Sequence, residues 1–325
     1  MSFPAQKLQT LHPDFSSNEV IMKKRSTFKL LTAVCIMMSA SSCKQEVNDI
    51  ELPFPANGTI IVSQIDDATY MLDDNGNCAS YLVIGKKKAL LIDTGYGDDN
   101  YVEVCRRYTD LPIVLFNTHG HGDHIYGNYQ FAEAYMSFRD SAMYYNSIAR
   151  ASGSRAKLIA PDDPDYQAKV DKLVAMPAAK LIDIKNGDII DLGGRELLAR
   201  EIPGHTEGCM ALVDKSHSIV YGGDSMTYWV LLYFPTCRPL KEYYVAMKAL
   251  EPDLEGVKWV YCGHETEVGV TTVENRYKKI LGYIEGIFDG TYKSADYLEH
   301  GNIVQSYLFD DWKMLIDNEQ AKLYN

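Results

Sequence analysis

Apolar and polar positions alternate in short blocks through the first half of the chain. Apolar runs recur at 59–62, 69–72, 79–84 and 89–92, and two of the gaps are filled by Asp73-Asp74-Asn75-Gly76-Asn77 and Gly85-Lys86-Lys87-Lys88. Runs of that length closed by Asp, Asn and Gly predict antiparallel strands joined by tight turns. The period then changes. Residues 100–108 predict a helix, 112–116 a buried strand, and 128–145 a longer helix rich in Ala, Met, Phe and Tyr. Residues 149–179 carry Gly153, Pro161, Pro164 and Pro177 around a helix at 166–174 and read as an excursion beside the core. A second strand-rich half follows at 181–184, 189–190, 197–202, 210–213 and 219–221, with a further apolar run at 257–261. Strands interleaved with helices predict a layered α/β architecture.

The ends follow other rules. Met22-Lys23-Lys24-Arg25 is basic, residues 30–40 are apolar, and Ala40-Ser41-Ser42 precede Cys43. The apolar stretch is too short for a bilayer span, which needs about 20 residues. This order resembles a bacterial lipoprotein signal (22–42), with Cys43 as the lipidated residue. It implies an exported protein of the periplasm or cell envelope that meets the membrane only through that lipid. Residues 1–21 then read as an upstream extension foreign to the native protein, and 43–57, with Pro53 and Pro55, as a linker. The folded domain is expected over 58–271. Residues 272–325 are expected to form a helical extension packed on it.

Composition narrows the classes. A chain of 325 residues with 46% hydrophobic content buries one sizeable core. A formal charge of −12 argues against nucleic acid and against unaided binding to anionic membrane. Beside Cys35 of the signal and the expected lipid site Cys43, five cysteines remain, Cys78, Cys105, Cys209, Cys237 and Cys262. Their odd number and irregular spacing suit buried packing residues better than a disulfide framework.

The candidate chemistry lies at strand ends. Directly after the run 112–116 come His119, His121, Asp123 and His124, separated by Gly120 and Gly122. His205 follows in Pro203-Gly204-His205-Thr206, Asp224 in Gly222-Gly223-Asp224 and His264 in Cys262-Gly263-His264. Imidazole and carboxylate are the donors zinc and its neighbours prefer. Residues two apart in an extended segment point the same way, so His119 and His121 can grip one ion while Asp123-His124 turns toward another. Three imidazoles leave a zinc position open to water, unlike the closed, cysteine-rich structural sites. Asp93 ends the strand 89–92, where a carboxylate either orients a neighbouring ligand or holds a turn. His12, His217 and His300 stand in the leader or in polar surroundings and are assigned no function.

The order HxHxDH, then His in PGHT, then Asp after GGD, then His after Gly, resembles the metallo-β-lactamase superfamily over about residues 58–265. The resemblance implies an α/β fold, an αββα four-layer sandwich with two mixed sheets face to face and helices outside. It implies two metal ions, one on His119, His121 and His205, the other on Asp123, His124 and His264. Asp224 would bridge them, and Asp93 would support the ligands from behind. Zinc is the expected ion, with iron and manganese as alternatives.

The implied reaction is hydrolysis of an ester, lactone, thioester or amide in a small molecule, by a hydroxide bridging the two ions. Asp123 and Asp224 are read as the catalytic carboxylates. β-Lactamases generally carry Cys or Ser where this chain has Asp224, so the likeness leans to the glyoxalase II and lactonase branches. Yet the tail lacks the basic character of glyoxalase II, since Arg276, Lys278, Lys279 and Lys293 are matched by acids. A phosphodiesterase is the alternative and needs a cation near the metals, for which Arg238 and Lys241 are candidates. A non-catalytic metal-binding lipoprotein is the third reading. Tyr126, and Tyr228, Trp229 and Tyr233 in an apolar loop expected at 228–234, are candidates for the substrate pocket, or equally for core or for a contact between two copies of the chain.

Overall fold

The computed structural model describes residues 52–309 and 312–324. The upstream extension, the signal stretch and Cys43 lie outside the described residues. One sheet holds seven strands in chain order: β1 (Ile60–Asp66), β2 (Thr69–Asp74), β3 (Ala79–Ile84), β4 (Ala89–Ile92), β5 (Ile113–Phe116), β6 (Glu133–Met136) and β7 (Lys180–Asp183). Its first four strands are antiparallel, and β4 through β7 are parallel. Parallel neighbours need crossovers. These are α1 (Tyr101–Arg106) before β5, the short α2 (Gly122–Ile125) after it, and α3 (Ser141–Ala151) and α4 (Tyr166–Val174) before β7.

The second sheet is built from β8 (Ile189–Asp191), β9 (Glu196–Glu201), β10 (Met210–Asp214) and β11 (Ile219–Gly223), paired antiparallel. The chain then leaves this sheet through β12 (Trp229–Leu232) and α5 (Leu240–Leu250), and β13 (Trp259–Cys262) returns to lie parallel beside β11. After α6 (Lys278–Phe288), strands β14 (Ala295–Glu299), β15 (Asn302–Phe309) and β16 (Trp312–Ile316) join β12 in a third, four-stranded sheet, and α7 (Asn318–Ala321) follows.

Period-two side chains divide each central strand between two cores. On β3 and β4, Tyr81, Val83, Leu90 and Ile92 meet Leu197, Met210, Leu212 and Tyr221 of the second sheet. Leu82, Ala89 and Leu91 turn the other way, onto Tyr101, Val104 and Tyr144 of the helices. On β10, Ala211 and Val213 face Tyr243, Met247, Ile280 and Ile284 of α5 and α6. Helices thus cover both outer faces of two apposed sheets, which is the αββα sandwich. Strands buried on both faces lose the polar alternation of a surface strand and read as continuous apolar runs.

Four expectations are corrected. The helix expected at 128–145 is a strand followed by a helix: Ala134 and Met136 are buried while Glu133 and Tyr135 are half-buried, so a period of two wins over the helix-compatible composition, and α3 begins only at Ser141. The helical tail holds one long helix and then three strands, because Trp312, Met314 and Ile316 alternate onto the core. The segment 228–234 contains strand β12 and is not a loop. The last residues of the expected linker already pack on the domain: Phe54 is buried, its carbonyl accepts from Asn100 Nδ2, and Asn57 N donates to Asp99. All five described cysteines are free thiols.

Candidate metal centre

Topology brings the candidate residues to one edge. Parallel pairing of β4 with β5 aligns Ile92 with Phe116, so Asp93 and the His119 segment leave the first sheet together. Parallel pairing of β11 with β13 does the same for Asp224 and His264 in the second sheet. His205 lies in the turn from β9 to β10, and β10 runs against β11, so this turn meets the same edge. Ligand sites commonly form outside the carboxyl ends of strands in such sheets.

The seven donors converge. His121 Nδ1 lies 3.1 Å from His119 Nε2 and 2.8 Å from His205 Nε2. Asp123 Oδ2 lies 3.8 Å from His124 Nε2 and 3.4 Å from His264 Nε2. Asp224 stands between the two groups: its Oδ2 is 3.4 Å from His205, 3.9 Å from His119 and 3.1 Å from His264, and its Oδ1 is 3.3 Å from His124. His119, His121 and His205 form one compact donor triad, and Asp123, His124 and His264 another.

The backs of the rings are anchored. His124 Nδ1 meets Asp93 Oδ2 at 2.9 Å, His205 Nδ1 meets the Leu231 carbonyl at 2.9 Å, and His264 Nδ1 meets the Asn77 carbonyl at 2.7 Å. Thr118 Oγ1 donates to Asp93 Oδ2 and is therefore the acceptor for His119 Nδ1, 3.0 Å away. With protons assigned by this network, Nδ1 carries the hydrogen on these four rings and Nε2 faces the centre. Only His121 presents Nδ1. Asp93 also accepts from the Thr118 amide at 2.8 Å, and it does so with φ at 61°, the left-handed region a non-glycine residue rarely enters. Such strain persists where the surroundings over-determine it, here through three donors. Gly263 is required by close approach, since a Cβ there would fall 2.2 Å from Asp224 Oδ1 and 2.6 Å from His124 Cε1.

Charge separates the two groups. Burial, then the neighbouring imidazoles, hold His119 well below its ordinary pKa, and the same causes lower His121 to about 3. Burial also opposes charge on His124, but Asp224, Asp123 and Asp93 outweigh it and raise its pKa well above the usual value. Asp224 raises His264 to about 9. Burial works against ionisation of Asp224, yet His264 and His124 keep it well below the usual carboxylate range.

These residues fit a divalent metal. His124 Nε2 and Asp224 Oδ1 are buried and make no hydrogen bond although 3.3 Å apart. Two unpaired buried polar atoms are costly, and a cation between imidazole and carboxylate satisfies both. The donor set of nitrogen and carboxylate oxygen suits zinc, iron or manganese alike.

A cavity of about 860 Å³ opens on this edge, lined by His121, Asp123, His205, Asp224 and His264. Tyr126, Tyr228 and Trp229 line it, and Tyr233 is not among its lining residues. Phe234 takes that wall instead, its ring 5.7 Å from His121, 5.9 Å from His205 and 4.3 Å from the Tyr233 ring. Arg238 binds Glu242, and neither it nor Lys241 lines the cavity; Arg150 of α3 does. Sequence reading also passed over Asp140. Its buried carboxylate accepts from the Gly120 amide at 2.9 Å, Thr206 Oγ1 at 2.6 Å and the Gly208 amide at 2.8 Å, tying the His119 and His205 loops together. Burial raises its pKa against these three donors.

Residues 73–229 match the family model described as the metallo-beta-lactamase superfamily. The chain is 29% identical over 192 residues to a chicken (Gallus gallus) protein named acyl-coenzyme A thioesterase MBLAC2, covering 52% of this chain and 69% of that one. Against the human protein of the same name it is 27% identical over 171 residues, covering 46% of this chain and 59% of that one. Among solved structures, a metallo-beta-lactamase from Pontibacter korlensis superposes with a TM-score of 0.50 at 16% identity, over 70% of this chain and 99% of that one. At that identity the likeness is one of fold. Sheet order, the order of donors along the chain and the family match agree: this chain carries a metallo-beta-lactamase superfamily domain.

Proposed function

We propose that the protein is a metal-dependent hydrolase acting on acyl thioesters, with one ion on His119, His121 and His205, a second on Asp123, His124 and His264, and Asp224 shared between them. The observation that carries this reading is the position of Asp224, whose single carboxylate reaches histidines of both triads. Bound there, divalent ions supply Lewis acidity toward water and toward a carbonyl oxygen.

The chain's own residues do the rest. Anchored ring nitrogens hold the donors in place before any substrate arrives, which lowers the reorganisation the reaction requires. Trp229, Leu231 and Phe234 form an apolar wall that limits water beside the ligands. Asp123 lines the cavity with two carboxylate oxygens, one for the second ion and the other to accept a proton released during hydrolysis. Among the bonds open to such a site, the thioester is favoured because the relatives named above are called thioesterases. A thiol also leaves as thiolate near its ordinary pKa of about 8.5, so it asks less of a proton donor than an amide nitrogen does. An envelope location with a lipid on Cys43 belongs to the same proposal and rests on the leader's sequence alone.

The test is a metal count by plasma mass spectrometry, followed by turnover of acyl thioester, lactone, β-lactam and phosphodiester substrates. Close to two ions per chain and a clear preference for the thioester are expected. Asp224→Ala is expected to lower kcat/KM by more than the ~10–100-fold that loss of a ligand's supporting partner typically costs. Two bound ions without thioester turnover would sink the reading.

A further inference from the structure

Helix α3 runs from the metal edge along the cavity wall. Asp140, just before it, holds the Gly120 amide, and a Cβ on Gly120 would lie 3.4 Å from Met143 Sδ. Met143, Ser147 and Arg150, spaced by four and three residues, all line the cavity and share one face of the helix. Seven residues of helix, a rise of about 10 Å, separate Met143 from Arg150.

The charge at that point is unmatched. Among the described residues, Arg150 is the one lysine or arginine lining the cavity, it is exposed, and it makes no ion pair. The acids of the same cavity are engaged elsewhere, Asp123 and Asp224 by the histidines and Glu299 by His300 at 3.4 Å. The same cavity is lined by the apolar Trp229, Leu231 and Phe234. A guanidinium in a cavity with an apolar wall presents a planar fork of donors suited to phosphate or carboxylate.

We propose that Arg150 is the docking point for an anionic group carried by the substrate away from its scissile carbonyl, which makes it the residue that sets selectivity among thioesters. The assignment rests on the thioesterase reading. The anion has two sources with one chemistry, a phosphate on the thiol half or a carboxylate at the far end of the acyl half.

Thioether analogues, which cannot be cleaved, separate binding from reaction. The metal-loaded protein is titrated calorimetrically with S-octyl N-acetylcysteamine, its ω-carboxy counterpart and S-octyl 4′-phosphopantetheine. At least one anionic ligand is expected to bind about 10- to 100-fold more tightly than the neutral one, as a charged hydrogen bond predicts. Whichever does so identifies the half that carries the charge. Arg150→Gln should erase the advantage, Arg150→Lys should keep part of it, and the neutral ligand should bind all three proteins alike. An anion preference that survives Arg150→Gln, or no preference in the wild type, overturns the proposal. If the preference depends on Arg150 but no thioester is turned over, the anion site stands and the thioesterase reading falls.

Discussion

Protons and metal ions compete for the same ring nitrogens at this edge, and the two triads differ in how firmly they hold a proton. In the metal-free chain His119 and His121 lie below the ordinary histidine range, so at neutral pH these two rings offer free lone pairs. His264, raised to about 9, and His124, raised well above its usual value, are protonated at neutral pH and must give up those protons to bind. A raised pKa therefore weakens metal binding below it and ceases to matter above it. Zinc titrations from pH 6 to 9 should show the shallower pH dependence at the first triad, where His119 and His121 have no proton to release. At the second, affinity should rise by about tenfold per pH unit for each proton released, with release measurable by a pH indicator. Two affinities with the same pH slope would contradict this. The seven donors were legible in the sequence because six of them sit beside glycine after an apolar run and the seventh, His124, adjoins Asp123 in the same loop. Asp140 and Arg150 were not, since an acid before a helix and a base on one look ordinary until the loops and cavity they meet are known.

At the scale of elements, the two sheets are clasped at the edge opposite the donors. Arg195, in the turn from β8 to β9, is buried, and its Nε donates to Asp214 at the end of β10 at 2.7 Å. Its other nitrogens donate to the carbonyls of Ala68 and Ile84 and to Thr69 Oγ1 of the first sheet. Removing one partner of a buried ion pair leaves the other uncompensated. Arg195→Ala should therefore cost about 3–5 kcal/mol in urea unfolding, while metal content per folded chain stays unchanged. A loss below about 1 kcal/mol, the value of a surface pair, would show the clasp to be dispensable. Strands bounded by Asn, Asp and Gly, such as β3 and β4, were readable from pattern alone. β6 was not, because Ala, Tyr and Met suit either period and only pairing between β5 and β7 decides. The tail strands were hidden similarly, since their partner β12 lies some eighty residues upstream.

For the whole molecule, that late sheet is part of the domain's core. Val230 and Leu232 of β12 are fully buried with Tyr307, Phe309, Met314 and Ile316, while Trp229 and Leu231 face the cavity. Lys313 of β16 lies 3.4 Å over the Trp229 ring and donates to Tyr297 at 2.7 Å. Ending the chain after Thr291 should strip cover from β12 and abolish soluble, cooperatively unfolding protein, as judged by circular dichroism and gel filtration. A truncated chain with unchanged melting would show the tail to be an appendage. None of the seven donors lies on this third sheet, although it supplies part of the wall they work against. Changes to Trp229 and Leu231 of β12, to Glu299 of β14 or to Arg150 of α3 can therefore reshape what the cavity admits while the seven donors pass down unaltered. Reactivity and taste are inherited on separate stretches of one polypeptide.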